Sequence, residues 1–170
     1  MNIVLIGYRG TGKTAVGKAL SERLGRQFYD ADLFLEEKLG RTISDIVASE
    51  GWPFFRQREK EVLREISATK DCVIATGGGA VMDKDNVRSL GKNGSFVLLK
   101  ADIDTMIQRI QSDESSSQQR PDLLGVDIYE ETRALLKQRT PVYEEVADFS
   151  LDTTNLTVDE VVERIARHLK

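Results

Sequence analysis

Short apolar runs alternate with longer amphipathic stretches along the whole chain. Runs at Asn2–Ile6, 27–29, Cys72–Ala75, 95–99 and 149–151 have the length and composition of strands. The first, third and fourth are almost wholly apolar, as parallel strands covered on both faces require. Val16, Leu20 and Leu24 then recur at helical spacing, so a helix follows the first strand. Thr42 suits the N-cap of a helix over 43–50, and Pro53 suits the first turn of the next. Phe55, Val62, Leu63 and Ile66 carry that helix's apolar face to about residue 68. Further helices are predicted over 84–90, 103–111 and 128–147, the last kinked or broken at Pro141. Thr157 and Glu160 form a capping-box signature that opens a final helix, with Val158, Val161, Val162 and Ile165 inward. This alternation predicts an α/β fold in three layers, an open, mostly parallel sheet between helices. One stretch breaks the pattern: residues 112–125 are polar, Ser-rich and without period. Composition reads them as a surface loop, whereas length and the presence of Arg120 read them as an active-site lid.

Composition narrows the class. The 170 residues suit one domain, 1–170, with no internal repeat and no interdomain linker. Lys and Arg number 24 against 28 Asp and Glu, a net charge of −4, which argues against a nucleic-acid partner. Hydrophobic residues at 40% and charged residues at 31% exclude a disordered chain. No apolar run approaches the roughly 18 residues of a membrane span, and the N-terminus lacks signal-peptide features. Cys72 is the one cysteine and has no disulfide partner; in an apolar strand it reads as a small buried hydrophobe. His168, the one histidine, is expected to face solvent or complement a helix C-terminus. A soluble, cytoplasmic monomer is expected.

The chemistry begins at Gly7-Tyr8-Arg9-Gly10-Thr11-Gly12-Lys13-Thr14, which fits G-x-x-x-x-G-K-[ST] between a strand and a helix. Glycines let the chain wrap closely around phosphates, and the helix adds its positive end. Gly10, Thr11, Gly12, Lys13, Thr14 and Ala15 are therefore the candidate nucleotide-binding residues. Lys13 would neutralise the β- and γ-phosphates and the Thr14 hydroxyl would ligate Mg²⁺. The apolar strand Cys72–Ala75 runs into glycine with no carboxylate, so the metal-holding acid must lie elsewhere. Asp30 and Asp32 end the second strand, where an i, i+2 pair shares a face. Each could instead be a helix N-cap. Gly77, Gly78 and Gly79 in a row cost backbone entropy, which suggests a ligand close to the main chain.

Taken together, these motifs resemble a shikimate kinase from about Met1 to Asp148. The resemblance runs through the phosphate loop, Phe28-Tyr29-Asp30-Ala31-Asp32, Gly51…Phe55-Arg56…Glu59, the glycine triplet, Arg120-Pro121, and Arg139…Pro141…Tyr143. It implies the nucleoside-monophosphate-kinase-like fold with a five-stranded parallel sheet. It also implies transfer of the γ-phosphate of ATP to the 3-hydroxyl of shikimate, giving ADP. Helices over about 32–65 would then bind the acceptor. Arg56 and Arg139 match the arginines that grip its carboxylate, a task suited to a planar guanidinium. Surface salt bridges are the alternative, Arg56 with Glu59 or Glu61 and Arg139 with Glu145 or Asp148. Asp32 matches the group at the reacting hydroxyl, as base or aiming group, with Asp30 on Mg²⁺. Gly77, Gly78 and Gly79 line the acceptor, Gly78 through its N–H. Lys13, Asp32 and Arg120 are the implied catalytic set. Arg120 is the lid arginine that also meets ATP, and Arg109 and Asn155 lie in the region around adenine. Trp52 stands where the family usually has Glu, Val47 where a Phe often lines the acceptor pocket, and the lid is longer than is common. Rival readings are a gluconate-type or nucleotide kinase on the same fold, and a non-catalytic ATP-binding switch.

Overall fold

The computed structural model describes residues 1–112 and 127–169. Five strands run through it: β1 (Asn2–Ile6), β2 (Gln27–Asp30), β3 (Cys72–Ala75), β4 (Gly94–Lys100) and β5 (Phe149–Asp152). Among the described residues seven helices cover them: α1 (Lys13–Leu24), α2 (Ala31–Leu39), α3 (Ile43–Ser67), α4 (Lys84–Gly91), α5 (Ile103–Ser112), α6 (Ile128–Val146) and α7 (Val158–His168). A 3-10 turn, Ala80–Met82, precedes α4. Every strand pair is parallel, in the order β2-β3-β1-β4-β5.

The alternation of side chains explains the layers. Ile3 and Leu5 of β1 join Val73, Val97 and Leu99 in one core, sealed by Val16 and Leu20 of α1 and by Val161, Val162 and Ile165 of α7. Val4 and Ile6 face the other way, with Ile74, Phe96 and Leu98, under Leu35, Leu63, Leu90 and Leu135 of α2, α3, α4 and α6. Residues such as Leu63 are fully buried, and burial of one such side chain stabilises by about 1.5–3 kcal/mol. β1 lies at the centre, between β3 and β4. Its carboxyl end therefore opens where the chain crosses from one side of the sheet to the other, the position at which α/β sheets collect ligands.

Local chemistry sets the breaks. Thr42 Oγ1 accepts the Asp45 N–H at 3.1 Å and starts α3. Gly51, with φ 84° and ψ 169°, then interrupts α3, so two helical segments meet at a conformation that only glycine adopts readily. Those segments are the predicted helix over 43–50 and the one opened by Pro53. The capping box of Thr157 and Glu160 is formed. Val158 is a correction: it is 38% exposed, because the first residue of α7 turns outward while the later valines face the sheet. Of the two outcomes expected at Pro141, a break does not occur, since α6 continues through it. His168 is exposed and stacks on Phe149 of edge strand β5, with ring centroids 4.1 Å apart.

Candidate functional site

The chain turns sharply after β1, and α1 begins at Lys13 with Gly12 as an N-cap that offers no side chain. The leading N–H groups of α1 therefore face the bowl of the loop, a ready anion site. Lys13 is buried and its Nζ donates to the carbonyls of Gly7 and Tyr8 at 2.9 and 2.8 Å. Thr11 Oγ1 also donates to Tyr8 O, at 2.8 Å. Gly10, at φ 78°, lies so close to α5 that a Cβ would stand 2.5 Å from Met106 O. Arg109 of α5 donates to Gly10 O at 3.3 Å and to Thr153 Oγ1 and O at 3.0 and 2.9 Å. The Thr153 hydroxyl in turn donates toward Thr11 O at 3.2 Å and Lys100 O at 3.0 Å. Arg109 thus braces the loop against the turn after β5. Asn155 is exposed on that same turn, and Ala15 is exposed in the first turn of α1.

Asp30 does two jobs at once. Its Oδ1 accepts the N–H groups of Asp32 and Leu33 at 3.1 and 3.3 Å, which caps α2. Its Oδ2 accepts the Thr14 hydroxyl at 2.7 Å. The expected shared strand face for Asp30 and Asp32 is corrected, because β2 ends at Asp30 and Asp32 already belongs to the first turn of α2. The two carboxylates consequently serve different places. Thr14 and Asp30 offer the hard oxygen donors that Mg²⁺ takes while keeping several waters. Among the described residues no cluster of three or more His, Cys, Asp or Glu forms a metal cage.

Beside the loop lies an open cleft that brings Asp32, Arg56, Gly77, Gly78, Gly79 and Arg139 together. Tyr8 and Arg9 of the loop form one wall, and Ile43, Trp52, Phe55 and Glu59 another. The glycine triplet now has a structural cause. A Cβ on Gly77 would stand 2.8 Å from Asp32 Oδ1 and 3.0 Å from Glu59 Oε1, and one on Gly79 would overlap the Arg56 guanidinium. The close approach inferred from sequence is thus made by the protein's own charged side chains as they line the cleft.

Arg56 is held from three sides. Its Nη1 donates to Glu59 Oε2 at 2.7 Å, and its guanidinium carbon lies 5.4 and 5.1 Å from the Trp52 and Phe55 ring centroids. The Glu59 pairing allowed by the i, i+3 spacing is therefore real, and it aims Arg56 within the cleft wall. Arg139 is buried on α6, 6.0 Å from the Tyr8 ring. Tyr143, one turn further along α6, donates its hydroxyl to Gly78 O. Burial pushes the Tyr143 phenol up to about 12, so it remains a donor there at neutral pH. Trp52 stands in the cleft wall, whereas Val47 packs against the hydrophobic core. Arg120 and most of the expected lid lie outside the described residues.

Glu59 is the carboxylate that sequence reasoning did not place in the site. Its Oε1 is buried without a hydrogen-bond partner. Burial raises its pKa above the ordinary glutamate value; the Arg56 charge opposes this, and the nearby Asp32 charge adds to it. The fold thus prefers protonated Glu59. That preference is fully present below the unfolded-state pKa and is lost as pH rises through the folded one. Melting of the wild type against Glu59→Gln should show a wild-type advantage that shrinks as pH rises through and above the carboxylate range. A difference independent of pH would contradict the assignment.

The shikimate kinase family model matches residues 9–170 of this chain. A shikimate kinase of Syntrophus aciditrophicus is 45% identical over 99% of this chain and 91% of its own length. A Yersinia enterocolitica protein named shikimate kinase 2 is 43% identical over 96% of this chain and 92% of its own. Among solved structures, the Acinetobacter baumannii shikimate kinase in complex with shikimate superposes with a TM-score of 0.92 at 38% identity, covering 99% of this chain and 92% of that one.

Proposed function

This chain belongs to the shikimate kinase family, and we propose from that premise that it moves the γ-phosphate of ATP to the 3-hydroxyl of shikimate as follows. Backbone amides of Gly10 to Ala15 and the end of α1 cradle the phosphates, with Lys13 as the mobile charge. In this structure Lys13 Nζ rests on two loop carbonyls, a short reach from the bowl they frame. Arg56 and Arg139 grip the carboxylate of shikimate, and Asp32 aims the reacting hydroxyl. A carboxylate is a weak base toward an alcohol, and a loose phosphoryl-transfer transition state asks little of it until late, so aiming outweighs proton removal. Arg120 would add charge over the phosphates on closure, and Arg109 and Asn155 flank the adenine end. Thr14 and Asp30 would hold Mg²⁺, which supplies neutralisation of the β- and γ-phosphates.

The observation that carries this reading is convergence: Asp32, Arg56, Arg139 and the glycine triplet line one cleft with Tyr8 and Arg9 of the phosphate loop. An ATP-binding switch has no use for such an acceptor pocket. Steady-state ADP release, with shikimate, with gluconate and with neither, tests it. The expected result is release that depends on shikimate; turnover of gluconate alone would reassign the acceptor, and acceptor-independent behaviour would favour the switch. Arg139→Ala removes one charged hydrogen-bonding partner and should raise the shikimate KM by roughly 10- to 150-fold. An unchanged KM would mean that the carboxylate sits elsewhere.

The same reading has residues 1–170 working as one kinase domain, monomeric and cytoplasmic, with small molecules as its only partners. In support, no two of the large hydrophobics exposed among the described residues share an element: Met1 precedes β1, and Leu33, Tyr129 and Val158 lie on α2, α6 and α7. No described helix is long and apolar enough to cross a membrane.

A further inference from the structure

Arg9 and Glu131 are not used by the roles assigned above, yet they are placed with unusual care. Arg9 belongs to the phosphate loop but lines the acceptor cleft. Its Nη2 donates to Glu131 Oε1 on the first turn of α6. The Glu131 side chain is 2% exposed and that of Arg9 13%. Withdrawing two charges from water is costly even when they pair, and a loop cation needed only for solubility requires no such arrangement. Arg9 Nε is also buried without a hydrogen-bond partner, so Glu131 fixes the guanidinium while donor capacity is left over.

The charges of the cleft sharpen the point. Its lining includes three guanidiniums, Arg9, Arg56 and Arg139, and two carboxylates, Asp32 and Glu59. Free shikimate brings one carboxylate, for which Arg56 and Arg139 suffice. Phosphorylation adds about −1.5 to −2 more at neutral pH. Arg9 belongs to the phosphate loop and its charge is offset by Glu131 rather than by a carboxylate of the cleft, so its unused donor capacity stands on the side where the new charge arrives. Tyr8 separates it from Arg139, its ring lying 5.8 Å from the Arg9 guanidinium carbon and 6.0 Å from that of Arg139.

We propose that Arg9, positioned by Glu131, is the acceptor-side ligand of the phosphoryl group as it settles on shikimate, and that it makes the cleft bind the phosphorylated product in preference to free shikimate. The proposal rests on shikimate phosphorylation as the reaction of this cleft. Glu131 is a positioning residue that acts through Arg9.

The full chain tests this directly. Trp52 is the one tryptophan and stands in the cleft wall, so its fluorescence reports occupancy. Dissociation constants for shikimate and shikimate 3-phosphate would be measured for the wild type, Arg9→Ala, Arg9→Lys, Glu131→Gln and the double variant Arg9→Ala/Glu131→Gln, alongside kcat and shikimate KM. Arg9→Ala should weaken the phosphorylated product about 10- to 100-fold, the loss of one charged hydrogen-bonding contact, and should change shikimate affinity less than about threefold. Its kcat should fall with KM nearly constant. Glu131→Gln should move the same constants in the same direction by less, and Arg9→Lys should recover part of the loss. If Arg9→Ala fails to fold because it leaves the Glu131 charge buried, the double variant makes the same measurement without that charge. Equal weakening of both ligands, or unaltered product affinity, overturns the proposal while leaving shikimate phosphorylation intact. A wild-type chain inert toward shikimate removes both.

Discussion

Lys13→Ala is expected to abolish turnover, with ADP release falling by about 10³-fold or more. Removing one group that stabilises charge in a transition state typically costs 10²- to 10³-fold, and the proposed mechanism gives Lys13 that task at the phosphates. The structure adds a second loss. Lys13 Nζ bridges the carbonyls of Gly7 and Tyr8 inside the loop. The Tyr8 carbonyl keeps Thr11 Oγ1 as a donor after truncation, whereas Gly7 O loses the lysine bond. The bowl is then less ordered as well as less positive. Coupled steady-state kinetics at saturating ATP and shikimate measures the combined effect. Rates within tenfold of wild type would take Lys13 out of the mechanism.

Asp32→Asn should lower kcat by about 10²- to 10⁴-fold, the range for losing a group that handles the proton of a reacting hydroxyl, while nucleotide affinity stays near wild type. The substitution keeps the side-chain volume, and the backbone at Asp32 is held independently by Asp30 Oδ1. Asp32 also lies in the lining of the cleft, in the first turn of α2, whereas the Thr14 hydroxyl pairs with Asp30. Single-turnover measurements and a nucleotide titration separate the two effects. Retained catalysis would leave Asp32 as a structural acid beside Gly77 and Glu59. Loss of nucleotide binding instead would move Asp32 to the metal side, next to Thr14.

Both expectations draw on positions legible in the sequence, and the reasons for legibility are local. A phosphate loop between a strand and a helix is encoded within eight consecutive residues, so Lys13 and Thr14 could be placed without a fold. β1, β3 and β4 were legible because their apolar runs are nearly continuous, and the edge strands β2 and β5 were legible from shorter runs between helical stretches. The order β2-β3-β1-β4-β5 was not, since it depends on which way each crossover turns. Asp30 shows why two local readings need not compete: one carboxyl oxygen caps α2 and the other accepts from Thr14. Glu59 had a signal, its i, i+3 spacing from Arg56, but spacing alone does not say that a carboxylate is buried. Arg9 and Glu131 lie far apart in the chain and meet only through packing, so no local pattern marks them as a pair. Their burial, like the tight fit of Gly77 and Gly79 against charged side chains, exists only in three dimensions.

The break at Gly51 has a further consequence for how acceptor preference can change. The segment before it contributes Ile43 to the cleft, and the segment after it contributes Trp52, Phe55, Arg56 and Glu59. A Cβ at Gly51 would meet little, the Pro53 ring at 3.6 Å being its nearest neighbour, so crowding does not forbid substitution there. The dihedral angles do. Directed evolution toward a bulkier or differently shaped acid can therefore resculpt Ile43 and Trp52, both of which lie on α3 rather than on the phosphate loop. Position 51 stays fixed, because the angle between the two helical segments of that wall is stored in its backbone.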